Sequence, residues 1–302
     1  MRSKWDFNFV KASKYCFTFS IVITLLGAIM LGVLGLNYGV DFSAGSNVDI
    51  SVNKPVAQAD VEQFLQEQGF EKIPPIIVGA DRVTIRFPEV LNDQQEHKLK
   101  EDFSAKFDAG ASYEVNTVDV EMAKELQRNA LIAVLLASVG IIIYVSIRFE
   151  WRFAIAAIVS LLHVAFFVIS IFSVFRLEVN LPFIIAILTI IGYAINDTVV
   201  IFDRIRENLR FAKIKGRDDL VKLVNRSVSQ SMTRSVNTVL TVLFVAVCLF
   251  VFGSESIRLF SLAMVIGLIC GAYSSIFIAS PLWVLLKDKQ KPKAKTAAKA
   301  TT

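Results

Sequence analysis

Six apolar runs dominate the chain, at about 17–36, 129–147, 153–175, 182–202, 234–252 and 259–286. Each meets or nearly meets the roughly 20 helical residues needed to cross a hydrocarbon core about 30 Å thick. The sequence therefore predicts a polytopic α-helical membrane protein with six transmembrane helices. The apolar share of the 302 residues, 54%, is high for a soluble domain. The first run is too long for a cleaved signal peptide and no A-x-A site follows it, so it reads as a retained signal anchor.

Charge is distributed by topology. Residues 37–128 hold 17 acidic and 9 basic side chains, leaving 10 acidic and 23 basic for the rest of the chain. Those basic residues flank the apolar runs and do not cluster on a soluble fold, which argues against nucleic-acid binding. Arg2, Lys4, Lys11 and Lys14 precede the first run, and Arg148 and Arg152 follow the second. Arg204, Arg206, Arg210, Lys213, Lys215, Arg217, Lys222 and Arg226 follow the fourth, and six lysines follow the sixth. The short loops on the other side have only Arg176 and Arg258. Both termini (1–16 and 287–302) and the 203–233 loop are thus expected in the cytoplasm, and 37–128 outside it. The lysine-rich tail is expected to be unstructured and to lie near anionic lipid headgroups.

The external segment predicts an α+β domain. Strands are expected at Ser46–Val52, Ile73–Val78, Arg82–Phe87 and Ser112–Val118. Helices are expected at Val56–Gln68, with Pro55 in or just before its first turn, and at Asn92–Phe107, with Asn92 and Gln95 as a capping box. Gly79-Ala80-Asp81 signals a hairpin. The order β-α-β-β-α-β fits a ferredoxin-like split fold. Glu121–Arg128 reads as a short polar helix feeding the second span.

Soluble-enzyme chemistry finds no motif: there is no P-loop, nucleophile elbow or zinc signature. Cys16, Cys248 and Cys270 lie in or beside apolar runs, so the external segment has no internal disulfide. His97 and His163 are far apart and read as structural, and no metal site is expected. The chemistry lies in the fourth and fifth runs. Asp197 sits six residues before Asp203, about 9 Å deeper in the membrane. A carboxylate there costs about 2.5–3.5 kcal/mol and must face a partner, water or an ion. Asn196 and Thr198 add hydrogen-bonding groups beside it.

In the fifth run Ser227, Ser231, Arg234, Thr238 and Thr241 recur at helical spacing, forming a polar stripe at the depth of Asp197. Two readings follow. In one, Asp197 and Arg234 share a polar cleft, and a movement that separates them loads a proton onto Asp197 while re-pairing expels it. In the other they form a static ion pair that fixes helix register. Glycines in and just after the first run (Gly27, Gly32, Gly35, Gly39) and at four-residue spacing in the last (Gly267, Gly271, followed by Ser274 and Ser275) read as close-packing faces.

Four segments carry a resemblance: Val40–Gly45, Gly192–Asn208, Ser227–Leu243 and Gly271–Leu282. With them the chain resembles the SecF family, the smaller half of the SecDF pair of bacterial protein export within the RND superfamily. The resemblance implies half of an RND-type bundle in the bacterial inner membrane, with a periplasmic domain. It implies SecD, the SecYEG translocon and an exported unfolded polypeptide as partners, and a proton or sodium gradient as the driver, with no other cofactor. Asp197 and Arg234 match the family's ion path, and Asp41, Gly45 and Gly192 match its signatures. Ala44, Ala194, Ser235 and Val239 depart from the usual residues, which bears on the hydroxyl lining and on ion selectivity. A non-conducting structural subunit and a small-molecule RND-type exporter are the competing functions. A tolerated Asp197→Asn would favour the structural subunit, and a domain of only about 90 residues leaves the exporter little room for a drug cleft.

Overall fold

The structure, a computed structural model, describes residues 8–70, 74–79, 81–214 and 216–288. Six of its helices are long and apolar enough to span a membrane. The chain divides into two compact units, which are described separately.

The first unit is the helical bundle. It comprises α1 (Phe9–Leu34), the body of α5 (Val120–Arg148), α6 (Trp151–Val174), α7 (Leu181–Phe211), α8 (Arg217–Phe252), and a last span that runs from Glu255 to Asp288. Every helix exceeds or shifts its predicted span. Hydropathy reports the part of a helix that suits lipid. The backbone ladder continues through polar residues, because Glu, Lys and Arg are good helix formers. The 203–233 segment, expected as a loop, is therefore helical up to Phe211 and again from Arg217, with residues 212–214 non-helical and Gly216 as the N-cap of α8. Glu121–Arg128 forms the first turns of α5, with no separate helix. Of the tail only Lys287 and Asp288 are described, both helical. The remainder of the tail, Arg2, Lys4 and Lys215 lie outside the described residues.

The last span is the most buried. It changes pitch midway: α9 (Glu255–Ser274) gives way to a π-helical turn, Ser275–Ala279, before α10 (Ser280–Asp288). Pro281, which has no amide N–H, follows the turn, and the Ser280 hydroxyl donates to the Ser275 carbonyl (3.0 Å). Trp283 stacks on Phe153 of α6 (ring centroids 4.6 Å). Asn225 of α8 anchors the start of α1, donating to Asn8 Oδ1 (2.9 Å) and accepting from the Val10 N–H (3.1 Å).

α6 ends in a Schellman motif. Arg176 adopts φ +53°, and the N–H groups of Arg176 and Leu177 return to the carbonyls of Ser173 and Phe172. The Ser173 hydroxyl donates to the Gly35 carbonyl (2.8 Å) and the Arg176 guanidinium to that of Leu34 (2.7 Å). The end of α6 is thus tied to the end of α1.

The second unit spans residues 37–133 and also takes in 178–181, the linker before α7. The domain expected at 37–128 therefore includes a piece of chain from between the third and fourth spans. β1 (Asn37–Tyr38) and α2 (Val40–Ser43) lead into β2 (Gly45–Ser51), α3 (Gln58–Glu67), β3 (Ile76–Val78), β4 (Arg82–Phe87), α4 (Asp93–Lys106) and β5 (Ser112–Val118). The sheet order is β3-β4-β2-β5, with every neighbouring pair antiparallel. This is a split β-α-β arrangement, in which β4 lies between β3 and β2. Val48, Ile50, Val83 and Ile85 of the sheet bury against Val61, Phe64, Leu65, Leu99 and Phe103 of the two helices. The capping box at Asn92 and Gln95 is present. The N-cap of α3 is Ala57, so Pro55 lies ahead of the helix. The strand expected from Ile73 begins at Ile76, and Ile73 and Ala80 lie outside the described residues.

A sixth strand, β6 (Glu178–Val179), pairs in parallel with β1, placing Asn37 opposite Glu178 and Tyr38 opposite Val179.

Candidate functional site

The site is built on α7 and α8 and backed by the last span. Consecutive residues of a helix point about 100° apart, so the Asn196-Asp197-Thr198 triplet splits between faces. Asp197 (6% exposed) and Thr198 are buried, whereas Asn196 and Gly192 are exposed. A Cβ added at Gly192 would meet nothing within 4 Å, so its lack of a side chain serves no packing inside this bundle.

On the buried face, Thr198 Oγ1 lies 2.8 Å from Ser275 Oγ, in the first position of the π turn, and donates to the Ala194 carbonyl (2.9 Å). The next serine, Ser274, bonds Ser160 of α6 (2.8 Å between hydroxyl oxygens). A hydroxyl network therefore joins α6, α7 and the last span next to Asp197. Ser160, Ser274 and Ser275 were not singled out by the sequence as site residues. The signal available was a Ser-Ser doublet inside an apolar span, six residues before a proline. Such π turns are frequent at functional sites.

Asp197 faces Ser235 and Arg234 of α8. Ser235 Oγ is buried and makes no hydrogen bond of good geometry. Among the described residues Asp197 and Arg234 form no ion pair, and Arg234 is exposed. The two line different hollows. Asn196, Ser231 and Arg234 line an open groove of about 570 Å³ with Asp203, Arg206 and Arg210. Asp197 and Thr238 line a crevice of about 10 Å³ with Tyr193, Gly267 and Gly271. That volume is at the lower limit for a single water. Ala194 packs beside Gly271, whose added Cβ would stand 3.3 Å from the Ala194 Cβ.

The polar stripe of α8 also divides. Ser227, Ser231 and Ser235 lie on its buried side, and Arg234 and Thr241 on its open side. The hydroxyls of Ser227, Ser231, Thr238 and Thr241 donate to carbonyls of their own helix. Asn208 of α7 crosses to Ser227 and Gln230 (2.8 and 2.9 Å) and ties the end of α7 to the first turns of α8.

The signature residues of the first segment lie in the other unit. The Asp41 carboxylate accepts from the N–H of Leu181 (2.8 Å). Gly45 has φ +128°, and an added Cβ would strike the Phe87 carbonyl, so a side chain is excluded there twice over. No cluster of potential metal ligands occurs among the described residues.

Comparison with known proteins agrees with these features. The family described as "Protein export membrane protein SecD/SecF, C-terminal" matches residues 98–289, and the "SecD/SecF GG Motif" matches residues 29–56. A protein translocase subunit SecF from Alicyclobacillus acidocaldarius is 44% identical over 97% of this chain and 97% of its own length. A protein translocase subunit SecDF from Bacillus subtilis is 45% identical over 96% of this chain. The chain spans 39% of that longer relative. The crystal structure of SecDF from Thermus thermophilus, a translocon-associated membrane protein, superposes with a TM-score of 0.85 at 33% identity, over 95% of this chain and 39% of its own. SecDF in a super-membrane-facing form gives 0.66 at 32% identity, over 94% of this chain and 39% of its own. The chain belongs to the SecD/SecF family of protein export membrane proteins, and it aligns over nearly its whole length with the SecF subunits of that family.

Proposed function

We propose that this chain is the SecF half of a SecDF complex, one that uses a proton or sodium gradient across the bacterial inner membrane to assist export of unfolded polypeptide through the SecYEG channel. The observation that carries this reading is the state of Asp197. It is a buried carboxylate on a membrane-spanning helix, with no ion pair, lining a crevice of water size beside an arginine that opens onto a separate hollow. A static register-fixing pair would be closed. An acidic group held apart from a nearby cation is instead poised to exchange an ion when the helices move.

The open side of the site supports a partner. Gly192, Asn196 and Arg234 face outward together with Val236, Leu240 and Phe244 of α8. A six-span chain with an uncovered arginine at membrane depth suits assembly with a second bundle such as SecD. The external sheet and its two helices are read as a ferredoxin-like module on the periplasmic side, with both termini cytoplasmic. One charge crossing 100 mV supplies about 2.3 kcal/mol. That biases a conformational equilibrium by about 50-fold at about 1.4 kcal/mol per decade.

The test is Asp197→Asn in the assembled complex, reconstituted with SecYEG and assayed for ion flux and for export under proton and sodium gradients separately. Loss of gradient-stimulated export and of flux, with normal insertion and pairing, is expected. Undiminished ion-dependent export would remove the ion-coupling role and leave a structural subunit.

A further inference from the structure

If the ion site lies within the bundle and the work is done outside, some part of the chain must transmit between them. The linker between α6 and α7 has features that suit this. Residues 178–181 pack with the external unit although they lie between two membrane spans in sequence. Four separate contacts hold them there. β6 pairs in parallel with β1, and the ladder extends through the Gly39 N–H, which donates to the Val179 carbonyl (2.9 Å). Glu178 forms a salt bridge with Arg86 of β4, in the middle of the sheet. The Asp41 carboxylate caps Leu181, the first residue of α7. Gly39 leaves room for this arrangement, because a Cβ there would overlap the Glu178 carboxylate.

Each contact taken singly also has a purely structural role. Asp41 is a helix cap contributed from another element. The bridge is a partly buried ion pair, whose net contribution to stability is small. Together they have a directional consequence. Leu181 begins an unbroken helix that carries Asp197 sixteen residues further on. The linker is too short, and too fully bonded on the external side, to act as a slack tether.

We propose that residues 178–181 form a latch through which the external domain and α7 move together, with Asp41, Arg86 and Glu178 as positioning residues that transmit the ion-driven step and do not bind the ion. This rests on the ion-coupling reading given above. The latch makes the external domain the output of α7. Breaking it should leave an ion-conducting bundle that no longer does work.

Charge reversal tests this in the full chain, assembled with its SecD-type partner and reconstituted with the translocon. Arg86→Glu, Glu178→Arg and the double variant are compared for membrane level, ion flux and gradient-driven export. Each single reversal is expected to insert normally and keep ion flux, while export falls about tenfold, the effect of one lost charge-assisted contact. The double variant restores the pair in swapped form and is expected to recover export. Wild-type export in both single variants overturns the latch. So does a parallel loss of flux and export that the double variant does not repair, because the bridge then only holds the fold. Asp197→Asn is run alongside. If it loses flux and export while the reversals behave as wild type, the latch alone fails. If it retains both, the ion-coupling reading fails and the latch fails with it.

Discussion

Thr198 Oγ1 and Ser275 Oγ lie 2.8 Å apart, and they join the helix that carries Asp197 to the one π-helical turn among the described residues. The contact is buried on both sides. A hydrogen bond between transmembrane helices contributes about 0.6 kcal/mol on average, with a maximum near 1.7. Its worth here is positional, since it fixes α7 against the segment whose pitch changes. A double-mutant cycle of Thr198→Val and Ser275→Ala, followed by unfolding in detergent, is expected to show a coupling of about 0.5–1.5 kcal/mol. Strict additivity would mean that the two hydroxyls do not act on one another. In the export assay both single variants are expected to retain activity, reduced, because neither removes the carboxylate.

Glycines at regular spacing do not all serve the same purpose. An added Cβ at Gly267 would press into the Ile190 side chain of α7, whereas one at Gly32 would meet nothing within 4 Å. Overpacking of a well-filled contact costs about 1–3 kcal/mol. Gly267→Leu is therefore expected to lower the melting temperature of the purified chain, while Gly32→Leu leaves it within error. Equal effects would show that the α7 contact with α9 yields more readily than its geometry implies.

The sequence made the bundle legible because a bilayer demands long apolar helices and little else satisfies it. The strands of the sheet domain were legible for a different reason. Val48, Ile50, Val83 and Ile85 alternate with polar neighbours, and that period marks one covered face. Two parts were not legible. The split of Asn196 from Asp197 depends on helix rotation, which spacing fixes only relative to a face whose partner is unknown. The latch depends on the pairing of two-residue strands far apart in sequence, Asn37–Tyr38 and Glu178–Val179, which carry no hydrophobic period. Asp41 was recognised as a signature residue through resemblance. Its contact with Leu181 gives that recognition a physical basis.

The departure at Ala44 has a measurable cost. Ala44 has φ +62° and is followed by Gly45 at φ +128°. Left-handed backbone costs an L-residue about 1–2 kcal/mol, and glycine avoids this at an entropic cost of about 0.5–1 kcal/mol. Ala44→Gly is expected to stabilise the sheet domain by about 0.5–1 kcal/mol. Hydrogen exchange across residues 45–118 of the full chain would report it. Slower exchange in the variant is the expected sign, and faster exchange would mean that the alanine methyl makes a contact worth more than the strain.

The sheet domain also carries an acid-sensitive clamp. The Asp108 carboxylate accepts from the Asn53 N–H (2.7 Å), the Gly110 N–H (2.9 Å) and the Asn53 side-chain amide (3.1 Å). The Asn53 N–H foremost, then that of Gly110, holds its pKa below the usual carboxylate range. Glu67 is shifted the same way, chiefly by its hydrogen bond from Lys106. A pKa lowered on folding contributes stability that is fully present above the unfolded value, about 4. That contribution fades as the pH falls below this value and through the folded one. Both groups are exposed, so the effect is local and opens the turn before it affects the sheet. Hydrogen exchange of the Asn53 and Gly110 amides should therefore differ between the native chain and Asp108→Asn at pH 6, with protection higher in the native chain. As the native carboxylate protonates toward pH 3 and below, the difference should shrink, because a protonated Asp108 accepts as weakly as the amide that replaces it. A gap of constant size across that range would show that the clamp is held by shape and not by charge.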